Sequence, residues 1–355
     1  MIIEMTGAEW FTTRPGGLNR YFESLYLALR DHPGVDVHAT AFGDPPEGGY
    51  SWGPAAKGLA ARHLTSRRRP GLTPTVIDRH FVPYGPGVPL RRTTQFVLHF
   101  QGPWHAESRA AGHPELAVKA KHAFEALRYA RADHAVVLCE EFGQILHERY
   151  RFPASRISVI PPGVDLTRFQ SAPAPTTDQP LVLCVRRLER RMGIDVLIAA
   201  WESVVRASPG ARLVVVGDGT ERAALQQQIE QLGLAGSITL AGRVDDEALG
   251  RYYREASLTV VPTRSLEGFG LIALESLASG RAPIVTRCGG LPDAVNGLDP
   301  SLVVPIEDSE ALADRISRGL AGELPDAAAC RRHAQTFDWK DVAARHVDLY
   351  QRLGR

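Results

Sequence analysis

The chain has 355 residues, 44% of them hydrophobic, with a net charge of +1. That length is too great for one ordinary domain and suits two, each with its own core, while near-neutral charge argues against general nucleic-acid binding. The four cysteines (Cys139, Cys184, Cys288, Cys330) form no C-x-x-C pair and read as small core residues of a reducing compartment; neither a basic-then-apolar leader nor an apolar span of about 18 residues occurs. The expectation is a soluble cytoplasmic protein, with peripheral contact at the inner membrane face left open.

Ile2–Met5 reads as a strand and Thr6–Pro15 as a loop. Gly16-Gly17 then opens an amphipathic helix to about Arg30, with Leu18, Tyr21, Phe22, Leu25 and Leu29 at helical spacing. Strand, glycine pair and helix suit an anion, and equally a plain turn. Val35–Phe42 is a second strand. Gly43–Arg92 carries no period and is rich in Pro, Gly and Arg. Arg67, Arg68, Arg69, Arg79, Arg91 and Arg92 make it locally basic, as a solvated loop or as a contact for a phosphorylated acceptor or anionic lipid headgroups. Gln95–Phe100 is a strand ending in Gln101-Gly102-Pro103-Trp104-His105, polar residues at the edge where α/β ligands bind. Helices Pro114–Ala132 and Glu140–Tyr150 alternate with strands Ala135–Cys139 and Ile157–Ile160. The unpatterned run Gln170–Gln179 reads as the hinge, giving domains at 1–168 and 180–335 with 336–355 as a terminal helix.

The second half opens with strand Leu181–Val185, followed by an arginine cluster (Arg186, Arg187, Arg190, Arg191) and helix Ile194–Ala207. Cations directly after a core strand suit phosphate. Strand Ala211–Val216 runs into Gly217-Asp218-Gly219, which tempts a dinucleotide reading. That reading fails, because the third glycine position is Arg222 and the acidic residue expected about 20 residues on is absent. Helix Thr220–Leu232, strand Ser237–Leu240, a loop at Arg243-Val244, strand Leu302–Pro305 and helices Asp308–Leu320 and Trp339–Leu353 complete the alternation. Such alternation specifies parallel sheets covered by helices on both faces, an α/β fold.

The most informative stretch is Leu258–Val295. A buried strand (Leu258–Pro262) leads through Glu267-Gly268-Phe269-Gly270-Leu271 into a helix ending at Gly280, then strand Ala282–Thr286 and Gly289-Gly290. Loop glycines and an open helix N-terminus make a diphosphate seat. Glu267 and Glu275 flank it, on the order of 10 Å apart along a helix. Carboxylates repel phosphate but accept hydrogen bonds from hydroxyls, so the ligand drawn is a nucleotide diphosphate sugar.

Glu267 and Glu275, with seven residues between them and Gly-Phe-Gly after the first, resemble the paired-glutamate motif of retaining glycosyltransferases of family 4. The resemblance covers nearly the whole chain, including Pro161-Pro162-Gly163-Val164-Asp165, which is similar to the family's domain boundary. It implies a GT-B fold of two Rossmann-like domains facing across a cleft, the first for the acceptor and the second for the nucleotide sugar, with a terminal helix crossing back. It also implies transfer of a hexose-type sugar to an acceptor hydroxyl with neither metal nor cofactor. The acceptor class (glycan, lipid-linked sugar or small natural product), base and sugar stay open.

On that resemblance Arg187 matches the arginine that grips the diphosphate. The family's lysine five residues later is Met192 here, with Arg191 beside it as a substitute. Gly268, Phe269, Gly270 and Leu271 supply main-chain N–H groups, Val244 lies in the loop that holds the base, and Gly16 and Gly17 form the glycine-rich loop near the donor phosphates. Glu267 orients the sugar and Glu275 the ribose. Where many members carry a second histidine near the reacting sugar, this chain has His99 and then Gln101; either serves there, or His105. The rivals are a GT-B epimerase or hydrolase and a non-catalytic sugar-nucleotide-binding protein.

Overall fold

The computed structural model describes residues 1–55, 58–67, 73–81, 83–86, 94–173 and 179–354. Two compact units emerge, one of Met1–Gly163 with Trp339–Arg355, the other of Val164–Asp338. Each is a parallel sheet with helices packed on it.

The first unit contains β1 (Ile2–Glu9), β2 (Asp36–Phe42), β3 (Tyr50–Ser51), β4 (Val76–Arg79), β5 (Gln95–Phe100), β6 (His134–Val137) and β7 (Ile157–Val159), in the order β3-β2-β1-β4-β5-β6-β7. Its strands are apolar because helices cover both faces; Ile3, Met5, Ile77, Val97, Leu98, Ala135 and Val137 are wholly buried. The helix Gly17–Arg30 buries Tyr21, Phe22, Leu25, Tyr26 and Leu29. Beside it packs the terminal helix Trp339–Leu353, which buries Val342, His346, Val347 and Tyr350.

The second unit contains β8 (Leu181–Val185), β9 (Arg212–Val216), β10 (Ile238–Gly242), β11 (Leu258–Val261), β12 (Pro283–Thr286) and β13 (Val303–Val304), ordered β10-β9-β8-β11-β12-β13. Strand order reverses between β1 and β4 in the first sheet and between β8 and β11 in the second. In sheets of this kind ligands bind beyond the strand ends at such reversals.

The units divide at Gly163/Val164 and Asp338/Trp339, not within Gln170–Gln179, of which residues 174–178 lie outside the described residues. The physical reason is that 164–173 is fastened to the second unit. Phe169 meets Tyr253 edge-on at 5.6 Å. Arg331 donates to the carbonyls of Leu166 and Phe169, and Arg281 to those of Ala172 and Pro173. The unpatterned stretch 43–92 holds a helix, Leu59–Ser66, and β4 at the centre of the sheet. Helices Trp104–Ala110, Asp246–Glu255 and Ala327–Gln335 are likewise absent from the sequence reading. Arg79 is no surface charge: it is 1% exposed and donates to the Pro86 carbonyl at 2.7 Å. Arg67 is exposed, while Arg68, Arg69, Arg91 and Arg92 lie outside the described residues. All four cysteines are buried, and no disulfide joins them.

Candidate functional site

The richest constellation of the second unit lies where β8 and β11 end. Arg186 follows β8, and its Nη2 donates to Thr263 Oγ1 and to Glu267 Oε2, both beyond β11. The ion pair is nearly closed, with side chains 6% and 14% exposed. Arg187, the residue aligned with the family's phosphate arginine, is exposed. Among the described residues its guanidinium has no hydrogen bond or ion pair. Arg191 Nη1 donates to the Leu266 carbonyl at 3.1 Å, bracing the loop that carries Glu267. The buried Met192 sits in a short 3-10 turn, Arg190–Met192. Arg264 staples that turn to the β11 loop, donating to the Arg190 carbonyl and pairing with Asp195 at 2.6 Å.

Glycines let these loops touch main chain to main chain. A side chain at Gly193 (φ +70°) would place its Cβ 1.9 Å from the Pro262 carbonyl, and one at Gly289 (φ +56°) 1.7 Å from that of Glu267. Gly290 N donates to the same Glu267 carbonyl at 3.3 Å. The Gly-Gly pair of the sequence is therefore a buttress under Glu267.

The helix after this loop spans Leu271–Ala278, so Phe269 is outside it; its ring is buried against Phe337 at 5.7 Å. Gly270 is the N-cap in the left-handed region (φ +88°), where a Cβ would strike Leu291 at 2.3 Å. No side chain caps this helix, and its first turn holds no carboxylate. Its leading N–H groups thus carry the positive end of the helix dipole with no acidic side chain in that first turn. Gly268 is partly exposed beside it. Glu275 lies deeper, 6% exposed, and accepts from Tyr253 Oη at 3.0 Å. Val244, in the loop after β10, is partly exposed.

In the first unit, Gly16 (φ 166°, extended) is the N-cap of the helix Gly17–Arg30, both glycines are exposed, and no side chain caps the helix. Glu9, at the end of β1, is held by Arg62 at 2.8 Å and Arg14 at 3.3 Å. His99 is 2% exposed, 2.9 Å from Asp78 Oδ1 through Nε2 and 3.4 Å from Tyr21 Oη through Nδ1. It stacks on His80 at 3.9 Å and His346 at 5.3 Å. Tyr350 Oη donates to Asp78 Oδ2 at 2.7 Å, and Gln101, partly exposed, bonds His80 Nδ1 at 3.2 Å. His99 and Gln101 therefore meet at one buried cluster under the terminal helix. Burial, reinforced by the neighbouring His99, pushes His80 down to about 4 and His346 to about 3. Asp78 is penalised by burial, yet His99 and His80 hold its carboxyl well below the usual range. His105 is committed elsewhere, to Glu125 at 3.0 Å and Tyr150 at 2.9 Å.

Among the described residues, Asp78, His80 and His99 are the group whose ligand atoms could surround a metal ion, all within 4.8 Å of one another. The His80 and His99 rings lie face to face, 20° from parallel, with their Nε2 atoms 3.5 and 2.9 Å from Asp78 Oδ1. No helix among the described residues is long and apolar enough to cross a membrane.

Comparison with known proteins agrees with this architecture. The profile "Glycosyltransferase Family 4" matches residues 15–168, and "Glycosyl transferases group 1" matches 167–337. The D-inositol 3-phosphate glycosyltransferase of Segniliparus rotundus is 31% identical over 229 residues, 60% of this chain and 51% of that protein. A GDP-mannose-dependent alpha-(1-6)-phosphatidylinositol monomannoside mannosyltransferase of Mycobacterium tuberculosis is 32% identical over 216 residues, 56% of each chain. The matches span about half the length of these curated relatives. The structure of Anabaena HepE, solved with UDP and glucose, superposes with a TM-score of 0.75 over 99% of both chains at 16% identity, a likeness of fold. With one glycosyltransferase profile on each half and two Rossmann-like sheets beneath them, the chain belongs to the family 4 glycosyltransferases of the GT-B class.

Proposed function

We propose that this protein moves a sugar from a nucleotide diphosphate sugar to an acceptor hydroxyl, with retention at the anomeric carbon and without a resident metal or cofactor. The observation that carries the reading is the uncapped start of the helix Leu271–Ala278, reached through Gly268–Gly270 and preceded by Glu267, whose partner Arg186 is followed in the chain by the exposed Arg187. A diphosphate at that helix start meets N–H groups and a guanidinium, which stabilise the charge that grows as the sugar departs. Arg191 keeps the loop in place, and Glu275 reaches the ribose by exchanging its bond from Tyr253 for one from a ribose hydroxyl. Val244 lies beside the base. The retaining outcome follows the family, whose chemistry is attributed to same-face attack with the leaving phosphate taking the acceptor's proton.

The relatives act on D-inositol 3-phosphate and a phosphatidylinositol mannoside. Arg14 and Arg62, both paired with Glu9 at the end of β1, leave a net positive charge there that suits such a phosphorylated acceptor. His99 and Gln101 brace the end of the sheet there, and peripheral membrane contact fits a lipid-borne acceptor.

The test is a panel of nucleotide diphosphate sugars with polyol and polyol-phosphate acceptors, assayed with and without a chelator. The product's anomeric configuration is read by NMR. Transfer with retention, undiminished by the chelator, is expected. Arg187→Ala should slow transfer about 10²–10³-fold, with no change in thermal midpoint because the side chain is exposed, whereas Glu275→Ala should chiefly weaken donor binding. Rapid donor hydrolysis independent of acceptor would replace the transferase by a hydrolase. Wild-type rates and donor affinity in both variants would remove the site.

A further inference from the structure

Arg186, one residue before the arginine that the family resemblance singles out, carries an inference of its own. Of its three guanidinium nitrogens only Nη2 makes hydrogen bonds among the described residues, to Thr263 and Glu267. Its Nε is buried without a partner, and the residue as a whole is 7% exposed. On the other side of the pair, the hydrogen bonds to Glu267 end on Oε2, from Arg186 and, at 3.4 Å, from Thr263. Oε1 accepts none among the described residues. The pair thus offers unused N–H groups and an unused carboxylate oxygen, each sharing a carbon with the bonded atom. A buried N–H left without an acceptor is costly, which makes this a place where a ligand atom is expected.

Chemistry narrows what that atom belongs to. A phosphate oxygen accepts from a guanidinium but is repelled by the carboxylate beside it. An ammonium suits the carboxylate and is repelled by the arginine. A hydroxyl satisfies both at once, because it donates its hydrogen and accepts on its oxygen. Within a nucleotide diphosphate sugar, the hydroxyls near Glu267 are those of the transferred ring.

We propose that Arg186 is a specificity-determining residue: with Glu267 it brackets one hydroxyl of the transferred sugar, the O–H donating to Glu267 Oε1 and the oxygen accepting from an unused guanidinium N–H. This rests on the donor reading given under Proposed function and adds to it the chemical class of sugar selected. The ring bears a free hydroxyl at that position, where a hydrogen, a fluorine or an acetamido group is refused. A site built around a hydroxyl rejects analogues lacking it strongly, since both partners are then left buried and unpaired.

The experiment uses the full chain and the donor it turns over, compared with that donor's deoxy and deoxyfluoro analogues at each ring position. In the wild type one position should stand out, the deoxy and fluoro analogues there losing on the order of 10²–10⁴-fold in kcat/KM. Arg186→Met should slow the parent donor yet compress the penalty at that one position to about tenfold or less, leaving the other positions as they were. Arg186→Lys, which keeps charge without the fork, should fall between. An Arg186→Met enzyme that discriminates as the wild type does at every position would reduce the residue to a structural pair and overturn the proposal. If Arg186→Met does not fold, the wild-type scan decides: no position losing more than about tenfold overturns it. Wild-type protein that turns over no nucleotide sugar removes the donor reading and this proposal together, an outcome distinct from the other two.

Discussion

Glu267→Ala is expected to be among the most destabilising single changes in the second unit, and to abolish transfer. The substitution leaves the Arg186 guanidinium buried with Thr263 as its only hydrogen-bond partner among the described residues. Breaking a buried ion pair from one side costs about 3–5 kcal/mol. Glu267 is 14% exposed, which places the expectation near the lower figure and lowers the thermal midpoint by on the order of 10 °C. Removing both charges is a different matter, because no unpaired ion remains. The double variant Arg186→Met/Glu267→Leu should recover most of the lost midpoint while staying inactive. That contrast separates the pair's role in holding the loops from its role toward the sugar. A Glu267→Ala protein as stable as wild type, or a double variant no more stable than the single, would show that the pair is not closed in solution.

The same residues show how far the sequence is legible. The helix-and-strand alternation, the diphosphate loop and both glutamates stand out because glycine, apolar runs and acidic spacing are local signals. Arg186 does not stand out. It is one of two consecutive arginines after a core strand, and only the register of β8 against β11 turns it inward to Thr263 and leaves Arg187 outside. Strand β4 hides for the same reason: Asp78-Arg79-His80 looks like a polar loop until Tyr350 and Gln101 are brought to it from farther along the chain and Pro86 from the segment just after it. Long-range satisfaction of buried polar groups leaves no periodic trace. The helix Asp246–Glu255, by contrast, had a readable start. Asp245 caps it by accepting from Ala248 N at 2.8 Å, an N-cap signal that precedes Tyr253 and hence the partner of Glu275.

Acid should weaken the first unit through its buried histidines. His80 and His346 are wholly buried, and burial with the adjacent His99 pushes them down to about 4 and about 3. Unfolded, each imidazole returns to about 6.5. As pH falls below that value the unfolded chain binds protons that the folded chain refuses, so stability is complete above about 6.5 and declines below it, by about 1.4 kcal/mol per pH unit for each group. His80's loss runs on to its folded value near 4 and that of His346 to near 3. Asp78 acts with the same sign but later: its depressed carboxyl contributes stability above about 3.9, lost only as pH falls through its lower folded value. Between pH 7 and pH 5 the two histidines together should remove about 4 kcal/mol, read as a shift in the urea midpoint. In His346→Leu the group whose Nε2 has no hydrogen-bond partner among the described residues is gone. The drop across the same interval should then be smaller by about half. An equal drop in variant and wild type would mean that His346 takes up its proton in the folded chain. The acid sensitivity would then rest on groups other than His346, and the terminal helix that delivers it would not be what acid releases.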